Sequence, residues 1–269
     1  MLAIKNNIMA ATAARHLGTS YDALAKSVER LSSGLRINTA KDDAAGLAVR
    51  ELMRADIAVL QQGSRNAQDA ISMVQVAEGG MQTIDNLLVR MKQLAEQAST
   101  GTYVTAQRTI MNSEFTELSN EIGRIAGSAK FNGITLLNAT TGVSIVFGGS
   151  TDTITITKAN MTTTGLGIGA LTIASATSAQ AALTTLDTAI NSANSARASF
   201  GYKMRRLESI VEVLGIQAEN ISSAESRISD VDVATEMADM TRTQVLAQAG
   251  IAMLAQANTM PQMALTLLR

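Results

Sequence analysis

Apolar residues recur along this chain at alternating spacings of three and four, the signature of helices with one buried stripe. Near the N-terminus, Leu17, Tyr21, Leu24, Val28, Leu31 and Leu35 form such a seam. It predicts a helix that stops at "SSGLRINTA", where Gly34 can take the left-handed stop position. Asp42 or Asp43 is placed to cap the next helix, which the pattern extends over about 44–99, with Val74, Ala77, Met81, Ile84, Leu88, Met91 and Ala95 as its seam. Gly101 breaks it. A further helix near 104–128 carries Ile110, Phe115, Leu118, Ile122 and Ile125. The longest seam runs from Leu183 through Leu186, Ile190, Ala193, Phe200, Met204, Leu207, Val211, Leu214 and Ala218 to Ile221. Only Arg197 interrupts it, and its stem can lie along the seam with its head in water.

Between about 130 and 177 the period falls to two. "GVSIVFGG" and "DTITITKA" alternate apolar and polar residues around "GGSTD", which predicts a β-hairpin. The fold class that follows is mainly α: a bundle of long helices with a small β-hairpin and paired N- and C-terminal helices.

The C-terminal segment departs from these patterns. From Thr243 to Leu268 no side chain is charged. On a helical wheel Gln244, Gln248, Ala255, Thr259, Gln262 and Thr266 fall on one narrow stripe. Val245, Leu246, Met253, Leu254, Met260, Met263, Leu265, Leu267 and Leu268 occupy the rest. A membrane span is the competing explanation for such a segment, but its Gln, Asn and Thr residues and Pro261 argue against one. A wide apolar arc beside an uncharged polar stripe suits a helix packed on most sides by other helices, with a thin face open to enclosed water. Alone, this tail is expected to be disordered until partners arrive.

Composition narrows the chemistry. The 269 residues carry a formal net charge of −1, so no nucleic-acid-binding surface is implied. Aromatics make up 3% of the chain and Trp is absent, so Ala, Leu, Ile, Val and Met must fill the core, which suits packed helices. The one proline leaves room for very long helices. There is no Cys and one His, His16, so neither a thiolate metal site nor a Ser/His/Asp constellation is assignable. The adjacent Asp42 and Asp43 suit helix capping better than catalysis, and "GLGIG" at 165–169 lacks the lysine of a phosphate loop. No metal, cofactor or enzymatic activity is expected. The first twenty residues lack the charged and leucine-rich regions of a secretory signal.

Four stretches carry a family resemblance: "ERLSSGLRINTAKDDAAGLAV" at 29–49, "SRNAQDAISMVQVAEGGM" at 64–81, "KFNGITLLN" at 130–138, and 226–269, which includes "SRISDVDVATEMADMTRTQVLAQAGIAMLAQANTM". Together they resemble bacterial flagellin, of a minimal type without large central surface domains. The resemblance implies a subunit that assembles itself into the flagellar filament, secreted through the flagellar type III apparatus. A hook–filament junction protein of the same superfamily is the alternative. It also implies an inner domain of residues 1–43 with 228–269, lining the filament channel, and an outer helical domain of 44–227 holding the hairpin region.

The resemblance further assigns roles to residues. Leu17, Tyr21, Leu24, Val28 and Leu31, with Leu246, Ile251, Met253, Leu254 and Leu265, are expected to build the inner core. Gln244, Gln248, Thr259 and Gln262 are expected to face the channel. The implied partners are further copies of the chain, a flagellar export chaperone, hook-associated and cap proteins, and a flagellin-recognising Toll-like receptor of animal hosts. For that receptor, Arg90, Leu94, Gln97 and Glu114 stand at matching places. The terminal "TLLR" is similar to the part read by cytosolic innate sensors.

Overall fold

The structure, a computed structural model, describes residues 6–149 and 151–266, with side chains described as far as residue 260. In chain order the elements are α1 (Ile8–Ser33), α2 (Ala44–Ser99), α3 (Thr105–Ser128), β1 (Lys130–Phe131), β2 (Ile134–Thr135), β3 (Gly142–Val146), β4 (Thr153–Thr157), α4 (Ala176–Ser229) and α5 (Val233–Thr266). They form two compact units. One comprises the described parts of Met1–Ile57 and Asn220–Arg269; the other is Ala58–Glu219. Helices α2 and α4 run unbroken through the boundary.

The second unit holds the large core. Every member of the α2 seam from Val74 to Ala95 is buried, at 1% exposure or less. Leu186, Ala193, Phe200 and Leu207 of α4 close over it, with Phe115, Ile122 and Ala126 of α3. Ile110 is 73% exposed rather than part of that stripe. Five residues before Phe115, it lies about 140° around the helix from it. Arg197, with its side chain 29% exposed, sets its head between two carboxylates of α2, 3.7 Å from Glu78 and 3.7 Å from Asp85. Lys92, later in α2 than either carboxylate, pairs with Asp187, earlier in α4 than Arg197, so the two helices run antiparallel in this unit.

The strands lie over this core. β1 and β2 are joined by Asn132 and Gly133, both with positive φ (47° and 79°), the backbone of a two-residue hairpin turn. β3 pairs antiparallel with β4, Gly142 opposite Thr157 through Val146 opposite Thr153. Ile154 and Ile156 point into the core while their Thr neighbours face out, which is the alternation that the sequence showed. The hairpin is seated on α2 at one close approach. A Cβ built on Gly63 would stand 1.9 Å from the Phe147 carbonyl oxygen, and Asn66 Nδ2 donates to the Val146 carbonyl at 2.8 Å.

In the first unit, the joints at the ends of α1 and α4 are zipped together. Gly34 stops α1 with φ 73°, its N–H donating to the Arg30 carbonyl. Arg36 N–H donates to the Ser229 carbonyl at 2.7 Å, and Val231 N–H to that of Gly34 at 3.0 Å. Arg50, buried, donates to the Ile37 carbonyl at 2.7 Å, and Arg54 bridges α2 to Glu225 of α4 at 3.0 Å. The two adjacent aspartates divide the work. Asp43 caps α2 by accepting from Gly46 N–H at 2.9 Å, whereas Asp42 ion-pairs with Lys26 of α1 at 2.7 Å and accepts from Thr39 N–H. The Lys26 hydrogen bond, then that of the Thr39 backbone, holds the Asp42 carboxyl well below the usual carboxylate range. Asp232 caps α5, and the Thr235 hydroxyl, then the Thr235 and Ala234 N–H groups that it accepts from, hold its carboxyl below the usual carboxylate range.

Two outcomes follow. Gly63→Ala improves helix propensity by about 1 kcal/mol yet collides with the Phe147 carbonyl. Urea denaturation should therefore show a net loss of about 1–3 kcal/mol, and a stabilised variant would contradict the packing. For Asp42 the folded pKa lies below the unfolded value of about 3.9. Its stabilisation is therefore full above that pH and is lost as pH falls through the folded value. The stability gap between the native chain and Asp42→Asn should be constant from neutral pH down to about pH 5 and shrink below about pH 4.

Candidate assembly surface

Helices α1 and α5 lie antiparallel. At one end Arg30 Nη1 pairs with Glu236 Oε2 at 3.4 Å, and at the other Asn7 Nδ2 donates to the Ala257 carbonyl at 2.7 Å. On α5 the covered positions include Glu236, Met240, Thr243, Ala247, Gly250, Leu254 and Ala257, a heptad register. On α1 they include Ala10, Ala13, Leu17, Ser20, Leu24, Ser27 and Leu31. Leu17, Leu24 and Leu31 are the leucines of the sequence-derived seam, but their alternating companions are small residues rather than Tyr21 and Val28. Those two stand 48% and 51% exposed. Leucines at seven-residue spacing belong to two overlapping stripes, one completed by Ala and Ser, the other by Tyr and Val. The small stripe permits close approach of the helices: a Cβ on Gly250 would lie 3.2 Å from Leu17 Cδ1.

This choice leaves large apolar side chains facing outward. Leu246, Ile251 and Met253 of α5 are about half exposed or more, as are Val245 and, on α1, Ile8 and Met9. Of the ten residues expected in the inner core, Leu17, Leu24, Leu31 and Leu254 are partly covered within one chain, five are exposed, and the side chain of Leu265 lies outside the described residues. Gln244, Gln248 and Thr259 are all exposed; Gln262 again lies outside the described side chains, and "TLLR" is almost wholly outside the described backbone. Among the described residues no helix is long and apolar enough to cross a membrane, and no group of three His, Asp or Glu is placed to hold a metal ion.

A second expected site lies on α2 and α3. Arg90 Nε and Nη2 both donate to Glu114 Oε1, at 3.0 and 2.8 Å, and Gln97 Nε2 donates to the Tyr103 hydroxyl at 2.8 Å. All three of Arg90, Gln97 and Glu114 are exposed. Leu94 does not join them: at 2% exposure it is part of the core, because it continues the stripe of Leu88 and Met91. The accessible cluster is therefore polar.

The comparisons with known proteins agree along nearly the entire chain. Residues 4–141 match the bacterial flagellin N-terminal helical region and residues 183–268 the C-terminal helical region. The chain is 42% identical to a flagellin of Halalkalibacterium halodurans over 270 residues, covering 99% of each. It is also 42% identical to the flagellar filament 33 kDa core protein of Treponema phagedenis over 284 residues, again covering 99% of each. The crystal structure of Bacillus cereus flagellin superposes with a TM-score of 0.52 at 33% identity, over 60% of this chain and 94% of that one. End-to-end likeness to flagellins and a filament core protein does not favour the hook–filament junction alternative. Two paired helices that leave their large apolar side chains outward, and matches at both ends of the sequence, lead to one conclusion: the chain belongs to the bacterial flagellin family.

Proposed function

We propose that this chain is the structural subunit of a bacterial flagellar filament, polymerising through the paired helices at its two ends. The observation that carries this reading is the outward row of Tyr21 and Val28 on α1 and of Leu246, Ile251 and Met253 on α5. Leaving such side chains in water forfeits about 1.5–3 kcal/mol each relative to burial. Identical copies can supply the cover, because a surface that one copy offers and another complements repeats indefinitely when the contact does not close. In this reading residues 1–43 and 228–269 form the inner domain and 44–227 the outer one. The uncharged Gln244, Gln248, Thr259 and Gln262 line the channel, where an absence of fixed charge lets exported chains pass without electrostatic capture.

The chain is secreted through the flagellar export apparatus with the help of an export chaperone, and adds at a growing end between hook-associated and cap proteins. In the free subunit α1 and α5 exchange between the paired helices and unfolded chain, and polymerising holds them helical. Arg90, Gln97 and Glu114 supply the polar contacts by which a host Toll-like receptor recognises free subunits. Leu94 contributes by holding α2 in place beneath them.

Removal of residues 251–269 tests the reading. The truncated chain should keep the core of the 58–219 unit, and with it the far-ultraviolet helical signal of that unit, yet fail to elongate filament seeds. Elongation at the rate of the full chain would refute polymerisation through the terminal helices.

A further inference from the structure

A second pair of unpartnered stripes lies away from the terminal helices. On α4, Tyr202, Arg206, Ser209, Val213 and Ile216 repeat at spacings of 4, 3, 4 and 3 on the side opposite the buried seam of Phe200, Leu207 and Leu214. All five are exposed, Tyr202 at 71%. On α2, Ala45, Val49, Leu52, Asp56 and Val59 repeat with the same spacing and are likewise exposed, Leu52 at 68%. Each stripe is two heptads long, about 21 Å at the helical rise. Each carries one charge at a seam position, positive on α4 and negative on α2. Neither Arg206 nor Asp56 enters an ion pair among the described residues.

We infer that the α4 stripe of one copy packs antiparallel against the α2 stripe of a second copy. This rests on the filament reading above and names a contact within it. The antiparallel register sets Arg206 against Asp56 and Val213 against Val49, and the other three pairs match a larger side chain with a smaller one: Tyr202 with Val59, Leu52 with Ser209, Ile216 with Ala45. The parallel register sets Arg206 against Val49 and Asp56 against Val213, leaving both charges covered and unpaired, which is strongly unfavourable.

Other exposed apolar stripes of the chain fit less well. Those on α5 after Arg242, and that of Tyr21 and Val28 on α1, carry no acid to receive Arg206. α3 presents a single exposed large apolar side chain, Ile110.

The contact is heterologous, one stripe against a different one, so it propagates rather than closing a pair.

Seeded polymerisation of the full chain, followed by light scattering and electron microscopy, tests the contact. R206D and D56R each bring like charges together and should raise the subunit concentration needed for elongation at least about tenfold. The double variant R206D/D56R should return it to within about twofold of the unsubstituted chain. Monomer melting should not change, since both residues are exposed and unpaired within one copy. As a second measure, the chain has no native cysteine, so L52C/S209C filaments should give a ladder of disulfide-linked oligomers on oxidation, and the monomers none. Single variants that elongate normally, a double variant as defective as the singles, or intact L52C/S209C filaments without a ladder would each overturn the contact. Failure of the unsubstituted chain to elongate seeds would instead overturn the filament reading, and the contact with it.

Discussion

The structure depends on how α1 and α5 share their contact. Each helix has more apolar surface than one partner can cover, and the pair meets along its smallest residues. Ser27, Ala247 and Ala257 are buried while Tyr21, Val28, Leu246 and Met253 are left outside. Small side chains on the inside bring the backbones close, as at Gly250 beside Leu17. They also reserve the large side chains, which have most to gain from burial, for contacts that a single chain cannot make. A helix pair built the other way, with leucines and tyrosines inside and alanines outside, would be a better monomer and a poorer building block.

The rest of the chain is organised to hold that pair without supplying its cover. The joint is held by backbone hydrogen bonds between residues 34–36 and 229–231, and by the ion pairs Lys26–Asp42 and Arg54–Glu225. These contacts are polar and specific, and they fix where the terminal helices begin. The 58–219 unit has an ordinary closed core, with Met81, Ile84 and Leu88 fully buried. Stability resides there, and the capacity to polymerise resides at the surfaces.

Much of this was legible in the residues. The seam from Val74 to Ala95, with Asp42 or Asp43 as the cap and Gly101 as the break, foretold α2 near its observed limits, Gly34 marked the stop of α1, and two alternating segments around "GGSTD" marked the hairpin. The phase of the α1 seam was not legible, because Leu17, Leu24 and Leu31 serve both stripes and only the shape of α5 decides between Ser20 and Tyr21. Ile110 was misplaced for a related reason: the spacing of a few apolar residues fixes a stripe only to within a residue, and neighbouring positions compete for it. Leu94 was assigned by resemblance, which does not register that it continues the buried stripe of Leu88 and Met91. The setting of Arg197 needed the third dimension, since Glu78 and Asp85 are more than one hundred residues away in the chain. The division of labour between Asp42 and Asp43 likewise turns on Lys26, a residue of another helix.

The central claim is that the large apolar face of the terminal helices finds cover only between copies. Hydrogen exchange of residues 8–33 and 233–260, compared in dilute subunits and in filaments of the same chain, addresses it most directly. The account predicts rapid exchange of both helices in the subunit, strong protection in the filament, and little change across the buried α2 seam. Full protection of both helices in the dilute subunit would contradict it.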